Sequence, residues 1–240
     1  MSELITITLL TLAAGSCIPI GGIIASFEHI RPNWLEREFR HFLIALGGGI
    51  LLGAVAVVLV PEGIASMRGS LLAIPLFLLG GLAFFLIERG LGLRRRETPQ
   101  LMGMILDYVP EAVALGGLVA INSPVAPLLA LLIGIQNLPE GFNAYRELVP
   151  QVQYSQVKTL LVMSGLTVIG PIAGLSGYFF LSDQPALLGA VMLFASGGIL
   201  YLLFQDIAPQ ARLQRHWGPP LGAVVGFSLA LFSKMLVTHS

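Results

Sequence analysis

Residues 101–121, LMGMILDYVPEAVALGGLVAI, and residues 125–146, VAPLLALLIGIQNLPEGFNAYR, decide how the rest of the chain is read. Each is an apolar run of the length that crosses a bilayer, about 20 residues. Each also carries polar groups where hydrocarbon would surround them: Asp107 and Glu111 in the first, Gln136, Asn137 and Glu140 in the second. An ionisable side chain at that depth costs about 2.5–3.5 kcal/mol on insertion scales, and it persists where it is paired, solvated in a cavity or bound to a ligand. The two runs share a pattern, an oxygen-bearing residue followed at the third and fourth positions by Pro-Glu. Positions i and i+4 lie on one helix face, so Asp107 stacks with Glu111 and Gln136 with Glu140. Pro110 and Pro139 each remove a helical hydrogen bond and leave a carbonyl needing a partner, which a cation can supply. At about 1.5 Å per residue, the four side chains fall within roughly 10 Å along the membrane normal if the helices are antiparallel neighbours. Three carboxylates and an amide could then converge on one point, where without a cation the acids repel one another. The competing way to hold such acids is as protonated carboxyls in interhelical hydrogen bonds.

Composition agrees with a bilayer as the solvent. Of 240 residues, 55% are hydrophobic and only 11% charged, with a mean hydropathy of +0.86. A soluble domain carries about 25% charged residues. Net charge is zero and the 13 basic residues are scattered, which gives no footing for nucleic acid. Cys17 is the only cysteine, so there is no intrachain disulfide and no thiolate metal site. No Lys or Arg precedes Arg31, so the first apolar run, 4–27, lacks the basic region of a signal peptide and reads as a retained helix.

Eight runs qualify as spans: 4–27, 42–60, 71–88, 101–121, 125–146, 159–181, 186–207 and 219–238. The connections are short, so the expectation is an all-α integral membrane protein with a single transmembrane domain over 1–240. With the N-terminus outside, the cytoplasmic ends hold Arg31, Arg37, Arg40, Arg89, Arg94, Arg95, Arg96, Arg146, Lys158, Arg212 and Arg215. The outer side holds Arg68 and Lys234. The excess of positive charge inside predicts that both termini are extracytoplasmic. The second and seventh runs share Gly-Gly-Ile-Leu, at 48–51 and 197–200, followed by Pro61-Glu62 and Pro209-Gln210. In this topology the two runs are antiparallel, as in the inverted repeats of transporters. Two glycine-rich apolar helices also produce such a likeness by chance.

Paired Pro-Glu motifs on the fourth and fifth of eight helices, with both termini outside, resemble the ZIP (zinc- and iron-regulated transporter-like) family. The most specific part is Gly134-Ile135-Gln136-Asn137-Leu138-Pro139-Glu140-Gly141, similar to the fifth-helix signature of a prokaryotic subgroup. A second part is Ala195-Ser196-Gly197-Gly198-Ile199-Leu200-Tyr201 followed by Asp206 and Pro209, similar to the seventh helix. The resemblance implies a ZIP-like bundle with an inverted repeat, in a bacterial inner membrane. It implies a homodimer and alternating access, with a divalent metal moved towards the cytoplasm. It also implies metal-binding positions at Glu111, Gln136, Asn137 and Glu140, with Asp206 as an exit-side ligand. Asp107 joins this set from its stacking with Glu111, and no prosthetic group is implied.

The chain departs from the family pattern at three places. Asp107-Tyr108 stands where the fourth helix has His-Asn. Ser164-Gly165-Leu166 leads into Thr167-Val168 without the sixth-helix glutamate of a second, adjacent metal site. The loop at Arg94–Pro99 has no histidines. His29, His41, His216 and His239 all lie outside the span centres and read as interfacial. The site is therefore built of oxygen ligands, which suit manganese or ferrous iron, while the resemblance puts zinc first. The alternative is a non-transporting metal sensor or partner subunit of the same fold. An intramembrane aspartic protease would need Gly-x-Gly-Asp or Tyr-Asp, and neither string occurs. Glu62 reads as a solvated helix end, and the glycines at 47–49, 165, 170, 174 and 177 as close packing positions.

Overall fold

The computed structural model describes residues 2–27, 33–92, 99–151, 155–214 and 216–239. His29, Arg31, Arg94, Arg95, Arg96 and Arg215, which entered the orientation and histidine readings, lie outside this set. The described residues form helical rods, named here in chain order. They are α1 (Glu3–Phe27), α2 (33–66), α3 (Ala73–Gly92), α4 (Pro99–Ala120), α5 (Ala126–Gln151), α6 (Gln156–Leu181), α7 (Pro185–Ala211) and α8 (Leu221–His239). Six are long and apolar enough to cross a membrane. Of the other two, α5 is long but has a polar second half, and α8 is apolar only over Leu221–Val237. Large apolar side chains cover the outside, among them Phe180, Phe232 and Leu236, each more than half exposed. An apolar exterior of that extent needs lipid rather than water. The chain has the architecture of an all-helical, multi-pass membrane protein.

Most rod ends fall within a few residues of the apolar runs. The exceptions are α2, which starts at Asn33, and α5, which continues to Gln151. Hydropathy marks where the chain leaves the apolar layer. The helix itself continues while its residues, here Glu36-Arg37-Glu38 and Arg146-Glu147, favour helix.

Two rods contain one π-helical turn each, Val55–Leu59 in α2 and Leu203–Ile207 in α7. The Val60 amide bonds the carbonyl of Val55, and the Ala208 amide that of Leu203. A proline stands two residues after the turn in both, Pro61 and Pro209. The two helices thus share a local defect as well as a Gly-Gly-Ile-Leu string, which argues against chance likeness.

The packing pairs have a symmetry of their own. The main pairs are α1 with α5, α4 with α6, α2 with α8 and α3 with α7. Exchanging α1 with α6, α2 with α7, α3 with α8 and α4 with α5 turns this set of pairs into itself. It also exchanges the α2–α5 contact with α4–α7. The same swap matches Pro110-Glu111 with Pro139-Glu140. Each main pair closes on glycine. A Cβ on Gly141 would strike the Ile18 carbonyl, on Gly177 the Val113 carbonyl, on Gly49 the Ala223 backbone, and on Gly197 the Phe77 carbonyl. The reading of Gly165 as a packing position is corrected: it faces open space. It belongs to a break in α6 between Leu166 and Ile169, where the Val168 amide bonds the Gly165 carbonyl.

Thr167, at that break, has a second task. Pro19 denies the Gly15 carbonyl its helical partner, and the Thr167 hydroxyl donates to it at 3.2 Å. At the end of the bundle holding the α4–α5 turn, Glu3 joins three elements. Its carboxylate accepts from the Tyr178 hydroxyl at 2.7 Å and from the Asn122 amide at 3.4 Å. A hydrogen bond to a charged group contributes about 1.5–3 kcal/mol. Tyr178→Phe is expected to lower thermal stability in detergent, read from a thermal melt, by about that amount.

Candidate metal site

The polar residues of α4 and α5 face each other in the interior. Asp107, Glu111, Gln136 and Asn137 are each at most 1% exposed. Glu140 is half-buried as a residue, but both its carboxylate oxygens are shielded. Gln136 donates its amide to Glu111 at 3.0 Å, joining the helices one turn nearer the α4–α5 connection at 121–125. On the side away from that connection, Asp107 and Glu140 line a cavity of about 30 Å³ with Gly47, Gly48, Asn143, Asp206 and Gln210. Asp107 is within electrostatic reach of Glu140 and Glu111, and Glu111 of Glu140.

Every amide in the group spends its N–H on another atom. Gln136 gives to Glu111, Asn137 to the Ala14 carbonyl at 3.0 Å, and Asn143 to the Pro139 carbonyl at 2.9 Å. Their oxygens are left over. Asp107 Oδ1, Glu111 Oε1, Gln136 Oε1, Asn137 Oδ1, both oxygens of Glu140 and Asn143 Oδ1 are buried with no hydrogen-bond partner. An unmet buried acceptor costs about 1–3 kcal/mol, so seven amount to on the order of 10 kcal/mol. That is comparable with the whole stability of a domain. Two things can meet such acceptors, a bound cation or protons on the carboxyls.

The sequence-derived residues divide as follows. Asp107, Glu111, Gln136 and Glu140 come together, and Asp206 stands on the cavity wall within the π-helical turn of α7. Asn137 turns its amide towards α1. Asn143 was not foreseen, although it lies three residues after Glu140, on the same helix face. Tyr108 is in the motif but not in the site. Its hydroxyl donates to the Thr11 carbonyl at 3.1 Å and fills a notch between Gly15 and Gly170. Among the described residues, no three His, Cys, Asp or Glu side chains form a ready metal cluster. The donor set is a mixture of carboxylates and amides. The described histidines lie elsewhere: the His41 ring contacts the Arg37 carbonyl at 2.6 Å, and His216 pairs with Glu38 at 2.7 Å. No family model matches the chain, and no curated protein matches it.

Proposed function

We propose that the protein is a divalent metal transporter of the ZIP type, moving its ion towards the cytoplasm through the α4–α5 site. The seven unpartnered oxygens buried between α4, α5 and their neighbours carry this reading. Glu111 and Glu140 are the principal ligands, with Asp107, Gln136 and Asn137 completing the shell and Asp206 on the exit side. The swap symmetry of the bundle supports an inverted repeat, and with it alternating access: two halves of similar structure rock about a central site. The distribution of Lys and Arg supports eight spans with both termini outside.

The resemblance puts zinc first. An oxygen-only donor set suits manganese and ferrous iron at least as well, and suits soft cadmium least. The test is uptake of zinc, manganese, ferrous iron, cobalt and cadmium into proteoliposomes. The expected outcome is uptake of manganese, iron or zinc, with cadmium slowest. Folded protein that moves none of the five would overturn the transporter reading. Metal binding without transport would then favour a sensor or partner subunit.

A further inference from the structure

We infer that a groove between α7 and α8 holds one anionic phospholipid, with an acyl chain along α2 and the phosphate at Arg212. The site lies outside the α4–α5 group and does not depend on metal transport. It is a cavity of about 680 Å³ at the end of the bundle away from the α4–α5 turn. It shares only Gly48 and Ile207 with the cavity of Asp107 and Glu140, and among the described residues no carboxylate lines it.

The groove follows from how the rods pair. α2 packs on both α7 and α8, while among the described residues α7 and α8 make no substantial contact with each other. The space between them is floored by Gly48, Gly49 and Leu52 of α2 and walled by Phe204, Ala208 and Ala211 of α7. Glycine on the floor and alanine on the wall leave room that longer side chains would fill. The groove opens sideways onto a lipid-facing surface, where Phe204 is 67%, Leu221 60% and Val224 61% exposed. Acyl chains reach such an opening directly, and an apolar wall favours them over water.

Depth and charge select the occupant. Trp217 lines the mouth and is 91% exposed, which suits an indole at the level of the lipid headgroups. Arg212 follows Phe204 by two helical turns, about 12 Å. One leaflet of hydrocarbon is about 15 Å deep, so the groove runs from the headgroups through most of a leaflet. Its mouth is cationic, with Arg212 and His216 on the rim. Glu38 is taken by His216 at 2.7 Å, and among the described residues no carboxylate pairs with Arg212. A guanidinium grips phosphate through two parallel hydrogen bonds. A zwitterionic lipid brings its own cation to the same place, so a headgroup with net negative charge is preferred.

The test is native mass spectrometry of the purified full-length chain in mild detergent, given equal amounts of phosphatidylglycerol and phosphatidylcholine. Wild type is expected to retain one phosphatidylglycerol, favoured about fivefold over phosphatidylcholine, the effect of one arginine at an anionic surface. Arg212→Gln is expected to retain one lipid without preference, and Ala208→Trp, which fills the groove, none. No retained lipid in wild type, equal retention of the two lipids, or an undiminished preference in Arg212→Gln overturns the site. Wild-type retention in Ala208→Trp also overturns it, by placing the lipid elsewhere on the bundle. If Ala208→Trp does not fold, the comparison of Arg212→Gln with wild type decides alone.

Discussion

Glu140→Gln is expected to abolish metal uptake, by about 100-fold or more, while the metal-free protein folds at least as firmly as wild type. Removing mere supporting groups around a metal already costs 10–100-fold, and the role proposed for Glu140 is that of a direct ligand. Both its oxygens are buried and unpartnered, and it lies between the Glu111–Gln136 contact and the cavity. Glutamine keeps the size but replaces one oxygen with an NH2 group whose hydrogens face the cation. The same change leaves no carboxyl at this position to be buried beside Asp107 and Glu111 when no ion is present, so the metal-free protein loses nothing by it. The two effects have opposite signs. A thermal melt without metal is expected to rise or hold, and a melt with metal to lose the gain seen in wild type. That gain is about 2.7 kcal/mol at a metal concentration 100 times the dissociation constant. Glu140→Gln protein that transports at the wild-type rate would remove Glu140 from the site. A variant that fails to fold would show that Glu140 has an unrecognised structural partner.

The acids at membrane depth were legible because their cost is high whatever surrounds them. Pro110-Glu111 and Pro139-Glu140 announced a helix pair with facing polar residues before any packing was known. The direction in which each polar atom points was less legible. Tyr108 sits beside Asp107 in sequence yet turns to a notch whose walls, Gly15 and Gly170, come from the first and sixth rods. Asn137 looked equivalent to Gln136, but its amide is held by Ala14 of α1. Asn143 was lost in a stretch, Phe142-Asn143-Ala144-Tyr145-Arg146, that reads as the polar end of a span. Its three-residue spacing from Glu140 was the signal available. The π-helical turns are invisible to hydropathy, and only Pro61 and Pro209 mark where to look. The Gly-Gly-Ile-Leu likeness has a counterpart in the packing partners, which are properties of pairs of helices and cannot be read along one.

That pairing sets the last expectation, the largest for the fold itself. Gly141→Leu is expected to leave little folded protein, and Gly141→Ala to cost about 1–3 kcal/mol in detergent. At Gly141 the backbone of α5 lies directly on that of α1: an added Cβ would meet the Ile18 carbonyl, and across the seam one on Gly21 would meet the Leu138 carbonyl. Backbone cannot rotate aside as a side chain can, so the rods must part. In a bilayer their attraction is van der Waals contact at short range, which parting forfeits. Gly141 also follows Glu140 directly, so a displaced α5 carries that carboxylate with it. Under the swap that exchanges α4 with α5 and α1 with α6, the α6–α4 seam meets the same obstacle, with Gly177 on the Val113 carbonyl and Gly116 on that of Gly174. Gly177→Ala is therefore expected to match Gly141→Ala in size. Gly165→Ala and Gly90→Ala, which meet nothing within 4 Å, are expected to be neutral or slightly stabilising. Thermal melts of the four alanine variants, read beside their metal uptake, separate the seams from the open positions. If Gly141→Ala melted with wild type, the α1–α5 seam would not be the tight contact that holds Glu140 in place.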